Sequence, residues 1–446
     1  MDKRIGIILR HTGLFLGLLA MLYLLTCLAC AIPNGAIRAN MTESALAYKQ
    51  AEAFSFENGE KLRNIADNYA DSILLNITYQ AGNGNPFVSA LDTKYYSGGE
   101  YGLNAGLYLA VTGDVPADTD YTRYWHGGVL LLRPLHLMMN IATIKIAGMV
   151  AIVALALVVL IVLVKRKNRK TALAFLIALL CVQIWNVRLS LEYQSAFFLG
   201  FAMCLAFLYA EQKHPAALTY LSVVGGLLTV FFDFLTCETV AILLPLVLVV
   251  SCRAEENRTR TSGEEFRHLA ACIVCFLLAY LAAFPLKWLL ASMVTGENKF
   301  IPALFSAGER MGSVSDGQKT GNIIESMYLA VMANLSALFG STQRVEPGRV
   351  IAGLLICAVV FGTVLYLFDK KRDARSALLP LLTLGGVVLV RYMVLPNHSY
   401  LHGFFTYRAL ITPITAILVS VLLHIDLPQK RKRMDRGSKK GNRIFK

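Results

Sequence analysis

Two carboxylates four residues apart, Asp67 and Asp71, have the spacing in this chain best suited to chemistry. They lie within 61–79, a stretch without proline or glycine that predicts one helix, with Leu62, Ile65, Tyr69 and Ile73 on its more apolar side. On such a helix the two Cβ atoms stand about 6 Å apart on one face. A helix with one carboxylate face, just after the first apolar span, is the candidate centre of the chemistry. The plainer alternative is a solvated acidic face on an interfacial helix.

The matching cations come from the far end of the chain. Arg391 and Arg408 lie inside or at the ends of otherwise apolar stretches. An arginine at mid-bilayer costs about 2.5–3.5 kcal/mol, so such residues usually face a polar cavity and a partner. Their planar forks fit phosphate oxygens; the alternative is snorkelling to headgroups. Arg188 is a third candidate, with Glu192 at i+4 as its competing ion-pair partner. Trp125, Tyr124, Tyr95, Tyr96 and Tyr101 suit stacking on a sugar face or an interfacial aromatic belt. His126, Arg133, Asp233 and Glu238 complete a mixed polar set in the same class of loops and turns. His398 and His402, four apart beside Asn397, read as polar lining; their segment offers no carboxylate, so no cofactor is firmly implied and a divalent metal stays an alternative. Asn76-Ile77-Thr78 fits a glycosylation acceptor but falls inside the expected helix.

The elements that must position these residues are membrane spans. The 446 residues are 56% hydrophobic and 16% charged, with a mean hydropathy of +0.54, which excludes a soluble enzyme and fits an all-α polytopic membrane protein. The net charge of +14 sits in short runs beside apolar segments, the pattern of cytoplasmic loops and anionic headgroups, not of a nucleic-acid binder. All nine cysteines lie in or beside apolar stretches and read as small core residues, outside any disulfide framework. Ten spans are expected, at about 13–32, 146–164, 171–187, 195–210, 217–232, 239–252, 269–292, 350–368, 377–394 and 409–425. The division is a signal-anchor span (1–32), a first outer loop with juxtamembrane helices (33–143), spans two to seven (144–292), a second outer loop (293–349), spans eight to ten (350–425) and a basic tail (426–446) suited to anionic lipid. Within the second loop, 323–339 is apolar enough for a re-entrant or interfacial helix. The basic runs 165–170, 253–267 and 370–375 group with both termini, which puts the termini in the cytoplasm and both long loops outside.

A cytoplasmic N-terminus, one span, and a long outer loop opening on a helix with acidic residues near the membrane resemble the GT-C glycosyltransferase superfamily. Asn68-Tyr69-Ala70-Asp71, Trp125-His126-Gly127 with Arg133-Pro134, and Asn397-His398-Ser399-Tyr400 with Phe405-Thr406-Tyr407-Arg408 also resemble membrane proteins of Gram-positive polysaccharide gene clusters. The loop carries Asp-x-x-x-Asp and no Asp-x-Asp or Glu-x-Asp, a departure from the metal-using members. The resemblance implies transfer of a sugar from a polyprenyl-phosphate carrier to a glycan or lipid acceptor at the outer face of a bacterial cell membrane, with inversion. It implies Asp71 or Asp67 as base, Arg391, Arg408 and Arg188 at the phosphate, and an apolar groove for the prenyl tail. Two alternatives remain: a polymerase or ligase of lipid-linked glycans, and a transporter or scaffold of a surface-polysaccharide system.

Overall fold

The computed structural model describes residues 3–232, 235–258, 260–314, 322–368 and 375–424. It is helical almost throughout, with two short two-stranded ribbons. In chain order the first helices are α1 (Lys3–Cys30) and α2 (Asn34–Lys49). The ribbon of β1 (Phe54–Phe56) and β2 (Ile65–Asp67) follows, pairing Phe54 with Asp67. Next are α3 (Asn68–Gln80), α4 (Pro86–Ser89), β3 (Lys94–Tyr95), α5 (Gly102–Gly113), β4 (Thr119–Asp120) and α6 (Gly128–Leu135). The bundle helices are α7 (Ile141–Lys165), α8 (Arg169–Cys181), α9 (Leu191–Lys213), α10 (Leu218–Phe232), α11 (Val240–Glu255) and α12 (Ser262–Thr295). The chain closes with α13 (Phe300–Met311), α14 (Ile323–Leu338), α15 (Pro347–Phe368), α16 (Arg375–Val394), α17 (Pro396–Leu401), α18 (Gly403–Thr406) and α19 (Ile411–Leu423).

Eight helices among the described residues are long and apolar enough to cross a membrane, which makes this an all-α polytopic membrane protein. Apolar helices occupy all ten expected positions, but α8 and α11 are short, and α10 and α19 reach span length only with the turns before them, over Pro215–Phe232 and Gly403–Leu423. The 13 residues of α8 rise about 20 Å, less than the roughly 30 Å of hydrocarbon. Gln183 turns left-handed at φ 52° and a 3₁₀ stretch over Ile184–Leu189 takes the chain onward. The 16 residues of α11 form the centre of the bundle, with Val240 to Arg253 all buried. The long α12 starts on a capping box, Thr261 with Glu264, and ends where Gly296 adopts φ 72°. It meets α10 at close range: a Cβ on Gly226 would stand 2.3 Å from the Phe276 carbonyl.

The expected helix over 61–79 is divided. Residues 65–67 pair in the ribbon, and the helix starts at Asn68 with Asp67 as its N-cap. The stretch expected to be re-entrant or interfacial is α14, whose Ala330, Ala333, Asn334 and Ala337 are fully buried. The helices of the first loop make their own small core, in which Ile37, Met41, Leu75, Tyr79 and Leu107 close over the start of α7. Asn76 and Thr78 lie within this packed layer, out of reach of a glycosyl transfer. All nine cysteines are free thiols.

Polar groups divide between the two ends of α9. Glu192 opens it and Glu211 closes it, about 30 Å away along the axis. At the Glu211 end, Arg253 binds Glu211 at 3.0 Å and Glu265 at 2.7 Å, while Arg166 and Arg258 bridge Glu211 to Glu256. At the Glu192 end the loops between helices gather, and the two cavities described next lie there.

Candidate functional site

A polar pocket and an apolar groove meet at the loop-rich end of the bundle. The pocket, about 140 Å³, is lined by Asp67, Glu192, His126, His398, His402 and Arg310, with Phe54, Tyr69, Tyr121, Tyr124 and Phe405 among its walls. The groove is larger, about 660 Å³, and runs between α11, α12, α13 and α16 along Ile242, Leu277, Leu281, Phe284, Val387 and Val390. Tyr124 and Arg310 line both.

Asp67 reaches the pocket because the ribbon ends there. Its Oδ1 accepts from the Ala70 backbone at 2.9 Å as the cap of α3. Burial raises its pKa to about 7; the Asp71 charge adds to the rise, while the Ala70 N–H and the Lys145 ammonium oppose it. A carboxyl poised there exchanges its proton near neutrality, as a general base must.

Asp71 has a different fate. One helical turn on, it is fully buried and fully partnered. Its Oδ2 accepts from the Tyr48 hydroxyl at 2.8 Å and from Lys145 Nζ at 2.7 Å. Its Oδ1 accepts from Ser190 Oγ and the Leu191 N–H, both at 2.8 Å. It ties α2, α3, α7 and the first turn of α9 together, and it does not line the pocket. Of the two carboxylates expected as candidate bases, only Asp67 lines the pocket; both oxygens of Asp71 are taken up by bonds within the protein.

The expected cations are corrected in the same way. Arg391 does line the groove, but Glu238 grips it with both carboxylate oxygens, at 2.5 and 3.1 Å. The Arg391 fork also donates to Ser399 Oγ and the Leu235 carbonyl, so four of its five N–H groups are already engaged within the protein. Arg408 is fully buried over the Tyr193 ring at 4.2 Å and donates to the carbonyls of Phe404 and Arg63. Arg188 pairs with Glu57 at 2.7 Å, not with Glu192. Arg133 is a structural clamp: its guanidinium donates to the carbonyls of Ala29, Thr78 and Ile32 and to Asn34 Oδ1, joining α6 to the ends of α1, α2 and α3. Trp125 is no sugar platform, being buried against Phe231 with its indole N–H on the Ala283 carbonyl. Asp233 lies outside the described residues.

Three expected histidines do meet in the pocket. His126, in a left-handed backbone conformation at φ 52°, donates from Nε2 to the Tyr121 carbonyl at 2.8 Å. His398 and His402 share one face of α17 with ring centroids 4.7 Å apart. Asn334 of α14 holds that segment, donating to the Ser399 carbonyl and accepting from the Thr406 hydroxyl at 2.6 Å. Burial drives all three imidazoles toward the neutral form, His126 to about 3, His402 to about 4 and His398 well below its ordinary value. The Arg310 and Arg391 charges push the α17 pair further down. Neutral imidazoles offer one donor and one acceptor each, the complement of a hydroxyl. No group of three His, Cys, Asp or Glu among the described residues is arranged to hold a metal ion.

Two cations that sequence reasoning passed over stand where the cavities join. The Arg310 guanidinium lies 5.6 Å from the Tyr124 ring centroid, and that of Arg123 lies 5.5 Å from the same ring and 3.9 Å from the Tyr121 ring. Neither is ion-paired among the described residues. Trp288 fixes the Arg123 loop by donating to its carbonyl at 3.1 Å. Arg310 sits on α13, whose Ile301, Leu304, Phe305 and Met311 carry helical spacing within the region expected to be loop. Glu192, taken as a partner for Arg188, is the second pocket carboxylate. No family model, curated protein or solved structure matches the chain.

Proposed function

We propose that this chain is a membrane glycosyltransferase of GT-C type. It moves a sugar from a polyprenyl-phosphate carrier to a glycan or lipid acceptor at the outer face of the cell membrane, with both termini in the cytoplasm. The observation that carries the reading is the junction of the two cavities. A carboxyl with a pKa near 7 and a cluster of neutral imidazoles lie across Tyr124 and Arg310, which line both cavities, from a groove walled mainly by apolar side chains. A lipid-linked sugar has this order of parts: a hydroxylated ring, a phosphate, an apolar chain.

In this scheme Asp67 accepts the proton of the acceptor hydroxyl as its oxygen bonds to the anomeric carbon. The bond from that carbon to the phosphate oxygen breaks on the opposite face, inverting the centre. The electron pair leaves with the lipid phosphate, and Arg310 and Arg123 stabilise the charge that develops there. His126, His398 and His402 hold sugar hydroxyls, and the groove holds the chain.

The test is transfer by the purified protein in vesicles, using labelled sugars on short polyprenyl phosphates and a panel of glycan and lipid acceptors. Product that depends on Asp67 and shows inverted configuration supports the scheme. Transfer that survives Asp67→Asn, or no transfer from any member of the panel while the lipids bind elsewhere, contradicts it.

A further inference from the structure

One wall of the groove has an outer side that nothing among the described residues covers. The helix α13 turns Ala303, Ser306, Ala307 and Arg310 to the groove, positions spaced i, i+3, i+4 and i+7 on one face. Its opposite face carries Ile301, Leu304 and Phe305, which are 68%, 59% and 70% exposed. Glu309 falls on the polar edge between the two faces. The helix is therefore apolar outward and small or polar inward, the reverse of a helix packed on a soluble core.

Its placement is fixed at both ends. It starts five residues after the last residue of α12, following the left-handed turn at Gly296, so it cannot leave the level at which that span ends. Lys299, just before its first turn, binds Glu297 at 2.6 Å, lies 3.6 Å from Asp92 and contacts Asp120, pinning α13 to the first loop. At its far end Asn397 donates to the Glu309 carbonyl at 3.0 Å. The exposed apolar surface of α12 away from the groove, with Leu278, Leu289 and Met293, leads to it.

We propose that α13 is an interfacial helix, seated with Ile301, Leu304 and Phe305 about 5–10 Å into the headgroup and acyl boundary of the bilayer. The occupant of its outer face is lipid, because that face continues the lipid-facing side of the span that precedes it. A helix at that depth holds Arg310 at headgroup height. The groove it walls then exchanges its contents with the bilayer and not with water. The small side chains at 303, 306 and 307 leave room for a hydrocarbon chain to lie against the backbone. This goes beyond the transferase reading and does not depend on turnover.

The test is depth-dependent quenching. An environment-sensitive fluorophore is attached at Phe305→Cys, at Ile301→Cys and, for the polar edge, at Glu309→Cys, with the labelled parent chain as background for its nine native cysteines. Each full-length protein is reconstituted in phosphatidylcholine and phosphatidylglycerol vesicles, with and without brominated acyl chains. Labels at 305 and 301 should lose most of their emission to brominated lipid and little to aqueous iodide, with the order reversed at 309. Iodide quenching at 305 and 301 overturns the proposal, since it puts that face in water. Protection of both labels from both quenchers also overturns it, since a second copy or a protein partner then covers the face.

Discussion

Replacing Asp67 by Asn separates a functional carboxyl from a structural one. A carboxyl held at about 7 in the fold and at an ordinary 3.8 when unfolded binds its proton more tightly in the native state. The native state is then most favoured by this group at low pH, and that advantage is lost as pH rises from about 4 to about 7. Three pH units correspond to about 4 kcal/mol. Asn keeps the cap on Ala70, since its carbonyl oxygen accepts the same N–H. The variant should therefore be more stable than the parent at pH 8, by up to about 4 kcal/mol, and by less than about 1 kcal/mol at pH 4. Transfer should be lost in the same preparation. Thermal unfolding in detergent at both pH values, beside the transfer assay, reads both effects. A variant less stable than the parent at pH 8 would refute the burial argument, because it would show the charge to be a stabilising ion. Full turnover in the variant would remove Asp67 from the chemistry.

Asp71→Ala should act in the opposite sense, destabilising the fold by about 3–5 kcal/mol because Lys145 loses its buried counter-ion, with a fall in melting temperature at neutral pH. Arg310→Gln should lower transfer about 100-fold or more with little change in thermal stability, since the side chain lacks an ion-pair partner among the described residues; equal losses of both would make it structural. The rate should rise with pH to a plateau above about 7 as Asp67 ionises, with no limb from His126 or His402, whose titrations lie near 3 and 4; a second limb between pH 5 and 6.5 contradicts this assignment. Ala307→Phe, which intrudes on the groove, should weaken binding of a fluorescent polyprenyl phosphate while leaving short water-soluble sugar phosphates unaffected.

Much of the frame was legible in the sequence because the bilayer imposes a length and a composition on each helix. All ten apolar stretches became helices. The shortness of α8 and α11 was hidden because hydropathy does not register where a backbone turns, as it does at Gln183. The carboxylates were found but not told apart. Spacing gave Asp67 and Asp71 one face; the pairing of 54–56 with 65–67 then ended the helix at Asp67, and only Asp71 entered the packed layer beside Lys145. The arginines misled for an electrostatic reason. A guanidinium in an apolar span must be neutralised or solvated, and Arg391 met that need with Glu238, a residue more than 150 positions away in the chain. The cations without an ion pair among the described residues lie on a loop and on α13, where an arginine costs little and so stands out little. Arg310 was within reach of sequence reasoning through the helical spacing of Ile301, Leu304 and Phe305. Arg123 stands between the two rings that hold it, Tyr121 and Tyr124, in the sequence itself, but its place on the groove with Arg310 comes only from the tertiary fold.

The central claim is that the Asp67 pocket and the apolar groove are one site divided between headgroup and tail. An electron cryomicroscopy map of the protein in nanodiscs with a polyprenyl phosphate reads this directly. The phosphate should sit beside Arg310 and Arg123, with chain density running along Ile242, Leu277 and Leu281. Lipid density on another face of the bundle, with this groove closed or filled by side chains, would contradict the account.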